Sequence, residues 1–133
     1  MKKQQHGFTL IELMVVISIL SILFSIMMPK MVSIKYRAQL TACSLYERNM
    51  ATALENYRND YPTRYPNTLA ALQTNSYINA TPSCPSNGSN YGYNLNGTGD
   101  YYTIYCNGTH SVVLTDVSAG FPQYSPGRGA QLR

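Results

Sequence analysis

Gly7-Phe8-Thr9-Leu10-Ile11-Glu12-Leu13 leads into an apolar run that reaches Met28 and meets Pro29. Lys2 and Lys3 precede it, and Glu12 is the single charge within it. A carboxylate in a membrane segment costs about 2.5–3.5 kcal/mol at the centre of a spanning helix, and less toward an end. A chain that carries one there has a use for it. A secretory signal peptide would share the basic tip. However, Phe8–Met28 is longer than an ordinary signal core, and no small-residue cleavage site follows it. About 20 apolar residues suffice to span a bilayer, so the segment reads as a retained transmembrane helix.

The same residues carry a resemblance. Gly7, Phe8, Thr9, Leu10, Ile11, Glu12 and Leu13, followed by Pro29 at the end of the apolar run, resemble the N-terminus of type IV pilins and of the pseudopilins of type II secretion. The resemblance implies that a prepilin peptidase cuts the Gly7–Phe8 bond and that Phe8, the new N-terminal residue, is N-methylated. Glu12, with Phe8 and Pro29, would serve assembly. It further implies an α+β pilin fold, with one long N-terminal helix packed on a small antiparallel sheet. Residues 1–7 would be a leader, 8–29 a transmembrane and filament-core helix, and 30–133 an exported domain that includes the second half of the helix. The expected function is that of a structural subunit of a pilus-like filament. It would be drawn from a single-pass inner-membrane pool and end in an extracellular or periplasmic filament of identical or related subunits. A secretion pseudopilin, or a minor pilin that binds DNA or a surface, is the alternative. Membrane-bound subunits would have their N-terminus in the cytoplasm. Lysines and arginines flank the span on both sides, so charge alone leaves the orientation open.

The chain has 133 residues and a formal charge of +4, of which Lys2 and Lys3 would leave with the leader. With much of it in one helix, the remainder can build one small domain. The charge is too low to argue for nucleic acid. Leu40, Cys43, Glu47, Met50, Leu54, Tyr57 and Tyr61 fall on one helical stripe, which extends the helix past Pro29 to about Asn59, with a kink at the proline. All of that stripe but Glu47 can pack on a sheet. Tyr61-Pro62 and Tyr65-Pro66 end the helix. Asn67 is expected to cap a short helix over Thr68–Gln73. Strands are expected at Tyr91–Leu95 and Tyr101–Cys106. Asn107-Gly108 signals a hairpin into a third strand at His110–Leu114. The tail after Thr115, with two prolines and three glycines, reads as irregular.

Three cysteines, Cys43, Cys84 and Cys106, lie in the part expected to be exported. Cys84 and Cys106 are expected to form a disulfide. Cys43, on the helical stripe, reads as a buried thiol, although a bridge to one of the others stays open. Twelve tyrosines read mainly as sheet packing. Stacking of nucleic-acid bases beside Arg58 and Arg64 is the minor reading. Catalysis has little support: His6 would leave with the leader, His110 would stand alone, and no nucleophile elbow, phosphate loop or metal-spaced cluster is visible. Glu47 and Glu55 read as solvated or salt-bridging. No cofactor is expected. Major secretion pseudopilins typically bind calcium through acidic loops, but Asp100 and Asp116 are the only acids beyond Asp60, which argues against such a site.

Overall fold

The computed structural model describes residues 7–132, so the expected leader lies outside the described residues apart from Gly7. The chain divides into two compact units, one ending at Ile34 and one beginning at Lys35. Helix α1, Leu10–Asp60, includes Pro29 as an internal residue. The helix therefore continues through the proline, as the resumed periodicity predicts.

In the N-terminal unit every described residue up to Ile34 is exposed. This is the one helix long and apolar enough to cross a membrane among the described residues. Three serines, Ser18, Ser21 and Ser25, lie within the apolar run. Ser18 and Ser21 donate their hydroxyls to the carbonyls of Met14 and Ile17, each at 2.7 Å. A hydroxyl bonded back to its own helix leaves no donor facing hydrocarbon.

The C-terminal unit is built on the stripe in the second half of α1. Leu40, Cys43, Glu47, Met50 and Leu54 are buried, joined by Ser44, Ala51 and Ala53. Tyr57 is half-buried and Tyr61 exposed, so the stripe runs out where the chain leaves the core. Four antiparallel strands pair in sequence order: β1 (Gly92–Leu95), β2 (Tyr102–Tyr105), β3 (Gln123–Ser125) and β4 (Gly129–Gln131). Tyr102 and Ile104 of β2, both fully buried, meet Met50 and Leu54 in the main core. Burial of each such side chain contributes about 1.5–3 kcal/mol. Tyr102 sits among Tyr65, Tyr93 and Tyr124, with ring centroids 4.7, 6.1 and 6.5 Å away. Packing is thus the main work of the strand tyrosines, as the sequence suggests.

Four expectations fail. His110–Val113 is a short helix, α3, and not a strand. The hairpin signal of Asn107-Gly108 suggested the strand. A helical turn buries His110 and leaves Val112 78% exposed, and tertiary burial of the imidazole outweighs local propensity. Asn107-Gly108 therefore opens no hairpin. The tail is also not irregular. β3 pairs with β2, and β3 and β4 are joined through Pro126-Gly127, with Gly127 at φ 83° and Arg128 N–H donating to the Ser125 carbonyl at 3.3 Å. That is the sequence and φ pattern of a type II turn. Helix α2 spans Ala70–Thr74 and is preceded by Leu69, without a side-chain cap. Asn67 instead accepts a hydrogen bond from Arg64.

Candidate functional site

Two groups of residues carry chemistry, one in each unit. In the N-terminal unit, Gly7 and Phe8 precede α1 outside regular secondary structure and are exposed, Phe8 by 86%. Backbone outside a helix is accessible to a peptidase. Thr9 is the residue before the helix, and Glu12 is the third residue inside it. The two cap each other. Thr9 N–H and Thr9 Oγ1 donate to Glu12 Oε2 at 3.0 and 2.9 Å, and Glu12 N–H donates back to Thr9 Oγ1 at 3.3 Å. This reciprocal arrangement satisfies two donors that an open helix end leaves unpaired. The Thr-x-x-Glu spacing could have been read from the sequence, and the role of Thr9 was missed.

Both Thr9 donors use Oε2. Within the described residues Glu12 Oε1 accepts no hydrogen bond and remains available to a further donor. Phe8, Ile11, Glu12, Val15 and Val16 line one shallow concavity along the helix. The carboxylate thus lies within an apolar face that has no cover among the described residues. Pro29, the third residue expected to serve assembly, is exposed inside the helix.

In the C-terminal unit Cys43 of α1, Cys84 of the loop before β1, Cys106 just after β2 and His110 of α3 converge. None is more than 1% exposed. Cys43 Sγ lies 3.2 Å from Cys84 Sγ, 3.7 Å from Cys106 Sγ and 3.1 Å from His110 Nε2, and Cys84 Sγ lies 3.3 Å from the same nitrogen. The expected Cys84–Cys106 disulfide is not formed, and all three thiols are free. Cys43 faces both of the others because the helical stripe and the inward positions of β2 point at one another. The Cys106 thiol donating to it, with smaller help from Tyr91, Cys84 and His110, draws Cys43 toward the thiolate, to about 5, against the effect of burial. Cys106, as the donor, is pushed up. The sequence reading found no metal-spaced cluster, yet these four donors could hold a metal ion.

Neither Glu47 nor Glu55 is merely solvated. Glu47 is fully buried with both carboxylate oxygens unpartnered, and burial first, then the Cys43 thiolate, pushes it up to about 8. Glu55 accepts hydrogen bonds from the hydroxyls of Tyr65 at 2.9 Å and Tyr102 at 3.1 Å. The groups raised for nucleic acid or calcium have partners inside the domain. Arg58 lies over the Tyr65 ring, 4.7 Å from its centroid, and donates to the Asp100 carbonyl at 3.1 Å. Asp116 pairs with Arg37 at 3.2 Å, and Asp60 accepts from the Tyr77 hydroxyl.

Comparison with known proteins returns a consistent set. A family model described as a prokaryotic N-terminal methylation motif matches residues 2–28. The type II secretion system core protein G of Pseudomonas aeruginosa is 39% identical over 72 residues, covering 54% of this chain and 50% of that protein. Core protein G of Klebsiella pneumoniae is 35% identical over 89 residues, covering 67% of this chain and 61% of its own length. Competence protein ComGC of Halalkalibacterium halodurans is also 35% identical over 89 residues, covering 65% of this chain and 85% of that protein. The chain thus spans about half the length of the Pseudomonas relative and most of the Halalkalibacterium one. No solved structure matches it.

Proposed function

The chain belongs to the type IV pilin and pseudopilin family, and on that premise we propose that it is a structural, non-enzymatic subunit of a pilus-like filament. A prepilin peptidase cuts at Gly7–Phe8, and Phe8 is N-methylated. The subunit waits in the bacterial inner membrane as a single-pass protein and then packs its apolar helix against those of identical or related subunits. The observation that carries this reading is the pairing of a wholly exposed apolar stretch of α1, up to Ile34, with one carboxylate in the first turn of that helix. Lipid can cover the helix before assembly, and neighbouring helices cover it afterwards. Glu12 then acquires a purpose. The new α-ammonium of a neighbour's Phe8 pairs with it inside the core, where Coulomb attraction is strong and desolvation offsets much of it. The net effect is on register, because one axial stagger brings the two charges together and the others bury them apart.

The core protein G relatives favour a second reading, in which the filament is a secretion pseudopilus. The mechanism of the helix is the same in both. Electron microscopy of filaments sheared from cells, with a label specific for this chain, tests the proposal. Labelling along the filament shaft is the expected result. Its restriction to membranes in cells that do make such filaments would refute it.

A further inference from the structure

We propose that Cys43, Cys84, Cys106 and His110 form a structural zinc site that ties the second half of α1 to the loop before β1 and to the segment joining β2 and α3. The donor set and its geometry carry the inference. The three sulfurs and His110 Nε2 all lie within 4.8 Å of one another. A tetrahedral zinc with bonds of about 2.3 Å to sulfur and about 2.0 Å to nitrogen requires donor-to-donor edges of about 3.5–3.8 Å. The observed separations of 3.1–3.7 Å around Cys43 need only small side-chain adjustments.

The surroundings fit the same occupant. Gly108 leaves open the space between the donors: a Cβ there would fall inside van der Waals distance of Cys84 Sγ and 3.1 Å from both Cys106 Sγ and His110 Nε2. Two of the sulfurs accept main-chain hydrogen bonds from the residue two positions on, Cys84 from Ser86 N–H at 3.5 Å and Cys106 from Gly108 N–H at 3.3 Å. N–H groups aimed at sulfur favour the thiolate, which is the form that binds metal. His110 turns Nε2 to the sulfurs and leaves Nδ1 buried without a partner. Four polar donors converging in a core of Leu, Met and Tyr are costly to bury unless something binds them.

Soft thiolates with one imidazole in a four-donor set select zinc among common divalent ions. Four protein ligands complete the tetrahedron and leave no open position, so the site is structural and not catalytic. Three thiols and one histidine also use every cysteine, which removes the odd thiol that a single disulfide would leave. In the zinc-bound form all three sulfurs are thiolates, the protons of those still held as thiols pass to solvent, and the lone pair of Nε2 binds the ion while Nδ1 keeps its hydrogen. A domain this small has a limited core and gains from such a clip.

The test uses the full chain, extracted from membranes in detergent without chelator. Elemental analysis is expected to give one zinc per chain, with all three thiols shielded from alkylation until the protein is denatured with a chelator. After the zinc is stripped under reducing conditions, one equivalent of Co²⁺ should give intense tetrahedral d–d bands and a thiolate-to-cobalt charge-transfer band in the near ultraviolet. Cys84→Ser and His110→Ala should weaken or abolish those bands. The cobalt spectrum of the unsubstituted chain decides the matter even if those variants fold poorly. A spectrum of octahedral, charge-transfer-free cobalt, or a Cys84–Cys106 disulfide in the chain as isolated, overturns the proposal.

Discussion

Thr9 and Glu12 cap each other at the start of α1, and both lie downstream of the Gly7–Phe8 bond, so a cut there leaves the cap intact. The consequence concerns the division of labour on one carboxylate. Oε2 is committed to Thr9, while Oε1 accepts nothing within the described residues. Glu12 can therefore order its own helix end and still receive a neighbour's ammonium. A merely tolerated acid near a membrane surface would need neither arrangement.

Processing at this bond has a direct readout. The intact mass of the mature chain should correspond to residues 8–133 plus one methyl group. A mass that retains residues 1–7 in assembled material would remove the free Phe8 amine and with it the proposed pairing.

The contact between Tyr102 and Glu55 anchors β2 to α1. Tyr102→Phe deletes one hydroxyl that donates to a charged acceptor, and it should destabilise the domain by about 1–3 kcal/mol in denaturant unfolding of the detergent-solubilised chain. Leu54→Ala, at a fully buried position of the same helix, should cost more, about 2–5 kcal/mol. Val112→Ala, at a highly exposed position, should change stability by less than about 0.5 kcal/mol. A reversed order would mean that the core is misassigned.

Gly108 and Gly97 make a matched pair. A Cβ at Gly108 would crowd two sulfurs and an imidazole, whereas one at Gly97 meets nothing within 4 Å. Gly108→Ala should lower stability by about 1–3 kcal/mol through overpacking. Gly97→Ala should be close to neutral. Thermal unfolding followed by circular dichroism separates the two.

Much of this molecule was legible because its signals are local and periodic. The apolar run and the stripe from Leu40 to Leu54 specify α1, and alternation places β1 and β2. The failures have separable physical causes. For His110–Val113, the preceding Asn107-Gly108 argued for a hairpin strand, but burial of one imidazole decided for a helical turn. In β3 and β4, two or three paired residues per strand are too few for alternation to register, and only Pro126-Gly127 marked the turn. The four-donor cluster was hidden because its members come from three parts of the chain, with Cys43 and His110 67 positions apart. One clue was available. Cys43 lies on the stripe that must face the sheet, and Cys106 continues the inward alternation of Tyr102 and Ile104. Those two facts together bring the cysteines face to face. Glu47, read as solvated or salt-bridging, lies on that same stripe and is buried with it.

The central claim is that the charge of Glu12, and not only its capping hydrogen bonds, sets the register of the filament. Glu12→Gln separates the two roles, because glutamine at this position can still accept from Thr9 while carrying no charge. The measurement is the fraction of subunit in sheared filaments against the fraction in membranes, for the parent, Glu12→Gln and Glu12→Ala. Both variants should insert and be cleaved. Both should fall out of filaments by more than about tenfold, because a neighbour's buried Phe8 ammonium would lose its counter-charge. Entry of Glu12→Gln into filaments at the parent's level would contradict the account and reduce Glu12 to a helix cap.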